Sequence, residues 1–345
     1  MSRRVLLCGM AGSVLPVWAQ SKKVVGAGAT FPARVYEKWA EAYGSSRPVS
    51  VEYDPTGSGD GVDKISHRKV LFGGTDVPLS TADLDKHGLL QIPTMAGAVV
   101  PVFNLPGVKA GDLKLTGELL ADLFMGRVTQ WNDRRIAALN PGLRLPALAV
   151  RRVVRSDKSG STHAFAQYLA LSSPAFAREA GVSKLPRWPG EVLAAAGSSG
   201  VVKLLAQTQG GLSFTGLDRV RRDELQFASL HNRSGAWVVP SENAVQAAVQ
   251  ASDVHRQGDD TASTLDMPGP LSWPISLVTF VLFDRLGEGA LRSRDALQFF
   301  YWAFTQGDKM IHGTGFSPLP ALLQARTSRR MMELAMSRGM TLSAY

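Results

Sequence analysis

The sequence predicts an α/β protein built as two lobes, on three observations. Short apolar, β-branched runs alternate with helical patterns along most of the chain, which argues for layered α/β structure with mainly parallel strands. The order strand, glycine loop, helix occurs three times. Two further apolar runs, Ile92 to Asn104 and Ser272 to Phe283, are placed to cross between lobes, which assigns residues 20–101 and 272–345 to lobe 1 and residues 102–271 to lobe 2.

The chain has 345 residues, 45% of them apolar and 19% charged, a globular composition long enough for two cores. Only the first 19 residues are apolar enough to meet a bilayer, and their layout is that of a cleaved export signal. Arg3 and Arg4 form the charged start, Val5 to Val17 the apolar run, and Val17-Trp18-Ala19 the cleavage segment, so the mature chain is expected to begin at Gln20. The single cysteine, Cys8, falls inside this signal, leaving the exported protein without thiol or disulfide. Bulky Leu7 before it, and an apolar run lying mostly after it, argue against lipid attachment.

The first unit runs from Lys23-Val24-Val25 through the loop Gly26-Ala27-Gly28-Ala29-Thr30-Phe31-Pro32 into a helix on which Val35, Trp39 and Tyr43 recur every four residues. The second has Val49 to Tyr53 as strand, Thr56-Gly57-Ser58-Gly59-Asp60-Gly61 as loop and a helix over Val62 to His67. The third has Val150 to Val154 as strand, Ser156 to Thr162 as loop and a helix from His163 to Leu171. Residues 181–210, rich in Gly, Ala and Ser, read as a variable loop followed by a surface helix.

A glycine loop that opens a helix leaves unpaired N–H groups and the positive end of the helix dipole aimed at one spot, which suits an anion. Each loop also carries a hydroxyl: Thr30, Ser58, and Ser159 with Ser161. For any one loop the ordinary assignment is a turn or helix-capping residue, but three of a kind suggest one shared ligand. Arg155, at the end of the third strand, can offer a bidentate guanidinium to an oxyanion. Isolated, it would be assigned to a solvated surface ion pair. Asp76 closes the apolar stretch Phe72 to Thr75; it is either a turn residue or an acceptor for a proton on the ligand.

Enzyme chemistry finds less support. No G-x-S-x-G elbow and no G-x-x-x-x-G-K-[ST] phosphate loop occurs. The six histidines are scattered without metal-ligand spacing, so neither a metal nor a cofactor is expected. The formal charge is +9, or +7 once Arg3 and Arg4 are removed (9 − 2). The basic runs Arg219 to Arg222 and Arg326 to Arg330 are short and far apart, which argues for steering of small anions and against nucleic acid.

Taken in order, several stretches resemble the periplasmic phosphate-binding proteins that serve the high-affinity phosphate ABC transporter. They are Gly26 to Pro32, Gly57-Ser58-Gly59, Thr75 to Leu79, Gln91 to Thr94, Leu123 to Gly126 with Trp131-Asn132, Asn140-Pro141-Gly142, Arg155 to Thr162, and Trp273-Pro274-Ile275. The resemblance implies the type II periplasmic binding protein fold. Each lobe would be a mainly parallel sheet flanked by helices, with a hinge of two crossing strands. It further implies a periplasmic, monomeric receptor that closes on inorganic phosphate and delivers it to the membrane permease. By motif, the ligand contacts would be Thr30 and Phe31 (backbone N–H, with the Thr hydroxyl), Ser58, Asp76, Arg155, Ser159, Gly160 and Ser161, with Asp157 holding the Arg155 guanidinium.

The chain departs from that pattern at four places. Thr75 and Ser161 exchange one hydroxyl for another, Lys158 replaces a glycine, and Asp60, also at a glycine position, puts a carboxylate near the anion unless it points away. Two other readings of the same cradle remain: an exported phosphoester hydrolase, and an oxyanion-binding or sensory protein of this fold. For selectivity, a ligand that keeps a proton at neutral pH can satisfy a fixed acceptor at Asp76, and sulfate cannot.

Overall fold

A computed structural model describes residues 22–343. The export signal expected at 1–19, Cys8 included, lies outside the described residues. The first three strands are β1 (Lys22–Gly28), β2 (Val49–Asp54) and β3 (Phe72–Thr75), with helix α1 (Ala33–Gly44) after β1 and α2 (Ser58–Ser66) after β2. Then comes a 16-residue strand, β4 (Leu89–Asn104). The next units are β5 (Arg151–Arg155) with α3 (Gly160–Ser172), β6 (Leu193–Ala195) with α4 (Gly197–Ala206), and β7 (Gly211–Gly216) with α5 (Leu217–Arg222); β8 (Ser276–Asp284) follows.

These strands lie in one ten-stranded sheet in the order β2-β1-β3-β8-β4-β7-β5-β6, with two short strands, Gln226–Phe227 and Phe316–Ser317, also paired to β4. β1 is parallel to β2 and β3, and β5 is parallel to β6 and β7. The two parallel groups meet at β4. Its residues Leu89–Ala98 pair antiparallel with β8, and Val99–Asn104 pair antiparallel with β7. β8 itself pairs with β3 and the first part of β4, while Ile275 just ahead of it accepts a hydrogen bond from Val99 N at 2.9 Å.

The apolar pattern explains the layers. Val35, Tyr36, Trp39 and Tyr43 form the buried stripe of α1, and Tyr36 meets Phe300 edge-on at 5.3 Å. In the other half Phe165 of α3 stacks on Phe214 of β7 at 4.0 Å. Buried β4 residues from Ile92 to Phe103 join the two aromatic groups into one apolar cluster. That continuity fixes where the loops at the strand ends face one another.

Candidate functional site

The three glycine loops converge. β1 and β3 lie side by side, with Gly28 opposite Gly74, and Ala29 N donates to Gly74 O at 2.9 Å. Gly28 has φ +140°, and a Cβ there would stand 2.2 Å from Gly74 O, so this approach requires glycine. Helices α1 and α2 begin at Pro32 and Gly57, and no side chain caps either start. α3 is capped: Ser159 Oγ accepts from Thr162 N at 3.2 Å. The Ser159 hydroxyl, expected at the ligand, therefore already holds the helix that presents Gly160 and Ser161.

Asp76 is the centre of one cluster and is 5% exposed. Its Oδ1 accepts from Thr279 Oγ1 of β8 at 2.8 Å, and its Oδ2 from Ser58 Oγ at 3.4 Å and Ser161 Oγ at 3.5 Å. Hydroxyls from β8, α2 and α3 thus meet on one carboxylate. Burial pushes the Asp76 carboxyl up to about 6, against the Thr279 hydrogen bond and the Arg155 charge. Gly160 packs directly on it, since a Cβ there would come within 2.6 Å of Asp76 Cβ and 2.5 Å of Ser58 Oγ.

Arg155 organises a second cluster and is 4% exposed. Its Nε donates to Asp157 Oδ1 at 2.7 Å and its Nη2 to Asp157 Oδ2, so the bidentate edge is turned to Asp157. Nη1 reaches across to Thr30 Oγ1 at 3.2 Å and Ser198 Oγ at 3.3 Å, and those two hydroxyls are 2.9 Å apart. Against the upward push of partial burial, Arg155 and the Gly197 amide hold the Asp157 carboxyl below the usual range. Phe31 stands beside Thr30 with its ring in the core, edge-on to Phe316 at 4.9 Å.

Asp60 points away. Its carboxylate is bonded by Thr56 Oγ1 and by Lys64 Nζ at 2.8 Å, one turn along α2. Lys158 is exposed, and its carbonyl accepts from Gly59 N at 3.3 Å, a backbone link between the second and third loops. Three residues were missed from sequence: Thr279, Ser198 and Lys184. The first two come from an apolar run read only as a crossing between lobes and from the helix assigned to the surface. Lys184, a half-buried residue of the 181–210 segment, accepts a hydrogen bond on its carbonyl from Ser159 N at 3.0 Å.

Residues 17–306 match the PBP superfamily domain. The chain is 34% identical over 313 residues to the phosphate-binding protein PstS of Xylella fastidiosa, across 90% of this chain and 86% of that one. It is 33% identical over 344 residues to PstS of Pasteurella multocida, across 99% of both. Among solved structures, a high-affinity periplasmic phosphate-binding protein (PfluDING) bound with phosphate superposes with TM-score 0.69 at 22% identity, covering 89% of this chain and 93% of that one. A phosphate-binding protein from Stenotrophomonas maltophilia gives 0.66 at 21%, covering 90% and 94%. At that identity the likeness is one of fold, and the fold is the two-lobed α/β one expected.

Proposed function

The chain belongs to the PBP superfamily and to its phosphate-binding PstS branch, and from that premise we propose that it captures inorganic phosphate and presents it to an ABC permease for import. Export by the N-terminal signal would place it in the periplasm, as a monomer. Residues 20–101 with 272–345 would move as one lobe and 102–271 as the other.

The observation that carries the proposal is the buried Asp76 carboxylate, met by three hydroxyls and lying within electrostatic reach of Arg155. Phosphate oxygens would take the N–H groups at the starts of α1 and α2, the backbone of Phe31 and Gly160, the hydroxyls of Thr30, Ser58, Ser159 and Ser161, and the outer edge of Arg155. Asp157 keeps that guanidinium in one orientation. The remaining P–O–H donates to Asp76. Sulfate would leave a buried carboxylate facing an anion without a proton between them, a penalty that supports discrimination of roughly four to five orders of magnitude in sites built around a ligand hydroxyl. Phosphate is bound and released unchanged.

Calorimetric titration of the mature protein with phosphate, sulfate and arsenate tests this. The expected result is one phosphate per chain with sulfate strongly disfavoured, no phosphate released from a chromogenic ester, and about 2.7 kcal/mol of added stability at ~100 times the dissociation constant. Absence of heat and of thermal stabilisation with phosphate in the millimolar range overturns it.

A further inference from the structure

The hydroxyls of Thr30 and Ser198 meet across the divide between the two groups of residues proposed to move as lobes. Thr30 belongs to residues 20–101 and Ser198 to residues 102–271, and their oxygens are 2.9 Å apart. The other side-chain contacts of the cradle that cross the same divide are longer: Arg155 Nη1 to Thr30 Oγ1 at 3.2 Å, and Ser161 Oγ to Asp76 Oδ2 at 3.5 Å.

Ser198 is held in place by the residues that carry the guanidinium. Arg155 of β5 stands opposite Ala195 of β6, Ser156 N donates to Ala195 O at 3.0 Å, and Gly197 N donates to Asp157 Oδ1 at 2.9 Å. Gly197, with φ +67°, makes the turn that starts α4 and sets the next side chain against Thr30.

The protons of this cluster can be counted. Arg155 Nη1 has two N–H bonds and gives one to Thr30 Oγ1 at 3.2 Å and one to Ser198 Oγ at 3.3 Å. A hydroxyl proton lies between the two oxygens, which leaves the pair one further proton with no acceptor among the described residues. An anion in the cradle draws that proton from Thr30, so Ser198 is the donor within the pair. Both lone pairs of Thr30 Oγ1 are then taken, one by Arg155 and one by Ser198. Thr30 can only donate to the ligand, and Asp76 is left as the acceptor for the ligand's own proton. Thr30 and Ser198 also line a cavity of about 290 Å³, together with Arg34 of α1 and Arg219 and Arg222 of α5. The pair therefore stands between this cavity and the cradle.

We propose that Ser198 is a positioning residue of the phosphate site: it makes the Thr30 hydroxyl a pure donor to phosphate and holds the two groups of residues together over the ligand. The proposal rests on the phosphate function above. The contact forms only when the two groups have closed, so its loss falls on release, and capture by the open form is little changed.

The test uses the full mature protein and its S198A, T30V and S198A/T30V variants, with inorganic phosphate as the probe, in calorimetry and stopped-flow. S198A is expected to bind phosphate roughly 3–10-fold more weakly, through faster dissociation, with the association rate within about twofold of wild type. In the T30V background the further change to S198A should alter affinity by less than about twofold, because Ser198 acts through Thr30. A serine that only supported its helix or loop would cost as much there as in wild type. Wild-type affinity in S198A, a loss carried by slower association, or an equal loss in the T30V background overturns this proposal alone. A wild type that binds no phosphate overturns the function and this proposal with it.

Discussion

Thr279 donates its hydroxyl to Asp76 across the β3–β8 junction at 2.8 Å, and this bond fixes which oxygen of the carboxylate is left for a ligand. Oδ1 is taken. Oδ2 has only the long contacts from Ser58 and Ser161 and is the atom free to accept a stronger donor.

Asp76→Asn keeps the shape, removes the charge and replaces one acceptor with an amide that can rotate. The phosphate-to-sulfate affinity ratio is expected to fall at least about tenfold in competition titrations, since a hydrogen bond to a charged group is worth about 1.5–3 kcal/mol. Stability should move the other way. The folded Asp76 value, about 6, is above its unfolded one, so burial costs nothing below pH ~4 and is felt in full above pH ~7. Without phosphate the Asn variant should therefore be more stable than wild type at about pH 8, by about 1–3 kcal/mol, in denaturant unfolding.

Arg155→Ala should weaken phosphate binding at least about hundredfold, because it removes a cation and also leaves the Asp157 carboxylate unpaired at the cradle. Arg155→Lys keeps the charge, loses the planar fork and should fall between. Adding Asp157→Ala to Arg155→Ala should recover part of the affinity. A double variant weaker than Arg155→Ala alone would show that Asp157 has a task beyond orienting Arg155.

Gly160→Ala puts a Cβ within 2.6 Å of the Asp76 side chain and 2.5 Å of Ser58. Overpacking of this kind costs about 1–3 kcal/mol, and here it falls on the loops that must close together. Phosphate affinity should drop roughly ten- to hundredfold while circular dichroism stays near wild type and the melting temperature falls by only a few degrees. Wild-type affinity would place Gly160 away from the ligand.

Asp218 lies buried at the start of α5, where burial pushes its carboxyl up to about 7 against Arg222 and Arg34. Its folded value is also the higher one, so the protein should lose stability from this group as pH rises from about 4 through 7. Asp218→Asn should flatten that decline and stabilise the protein by about 2–4 kcal/mol at about pH 8, read from melting curves across pH. An unchanged pH profile would mean that Asp218 ionises freely.

The parts legible in the sequence were those written locally. A glycine loop before a helix announces itself within seven residues, and Thr30, Ser58 and Ser161 lie in such stretches, while Asp76 and Arg155 stand at the ends of apolar strand runs. The i,i+4 spacing of Asp60 and Lys64 explains why Asp60 turns to its own helix, a pairing the sequence analysis did not use. Thr279, Ser198 and Lys184 carry no such signal. Each lies at least 25 residues along the chain from its partner there, Lys184 from Ser159 being the nearest such pair, and only pairing registers or packing bring them in. Which edge of Arg155 faces outward was equally hidden, because one residue's spacing to Asp157 does not say which nitrogens it takes.

β8 sits between β3 and β4 although some 170 residues separate it from β4 in the chain. During synthesis or passage through a translocation channel, the first half of the sheet is therefore a ladder with its middle rung missing until residues 276–284 arrive. The half that begins the chain is the last to be completed. Loop closure over that span makes its assembly slow, and β3 and β4 meanwhile present unpaired edges. A truncation ending before Ser276 would lose the first half's sheet as a unit, whatever the state of the second.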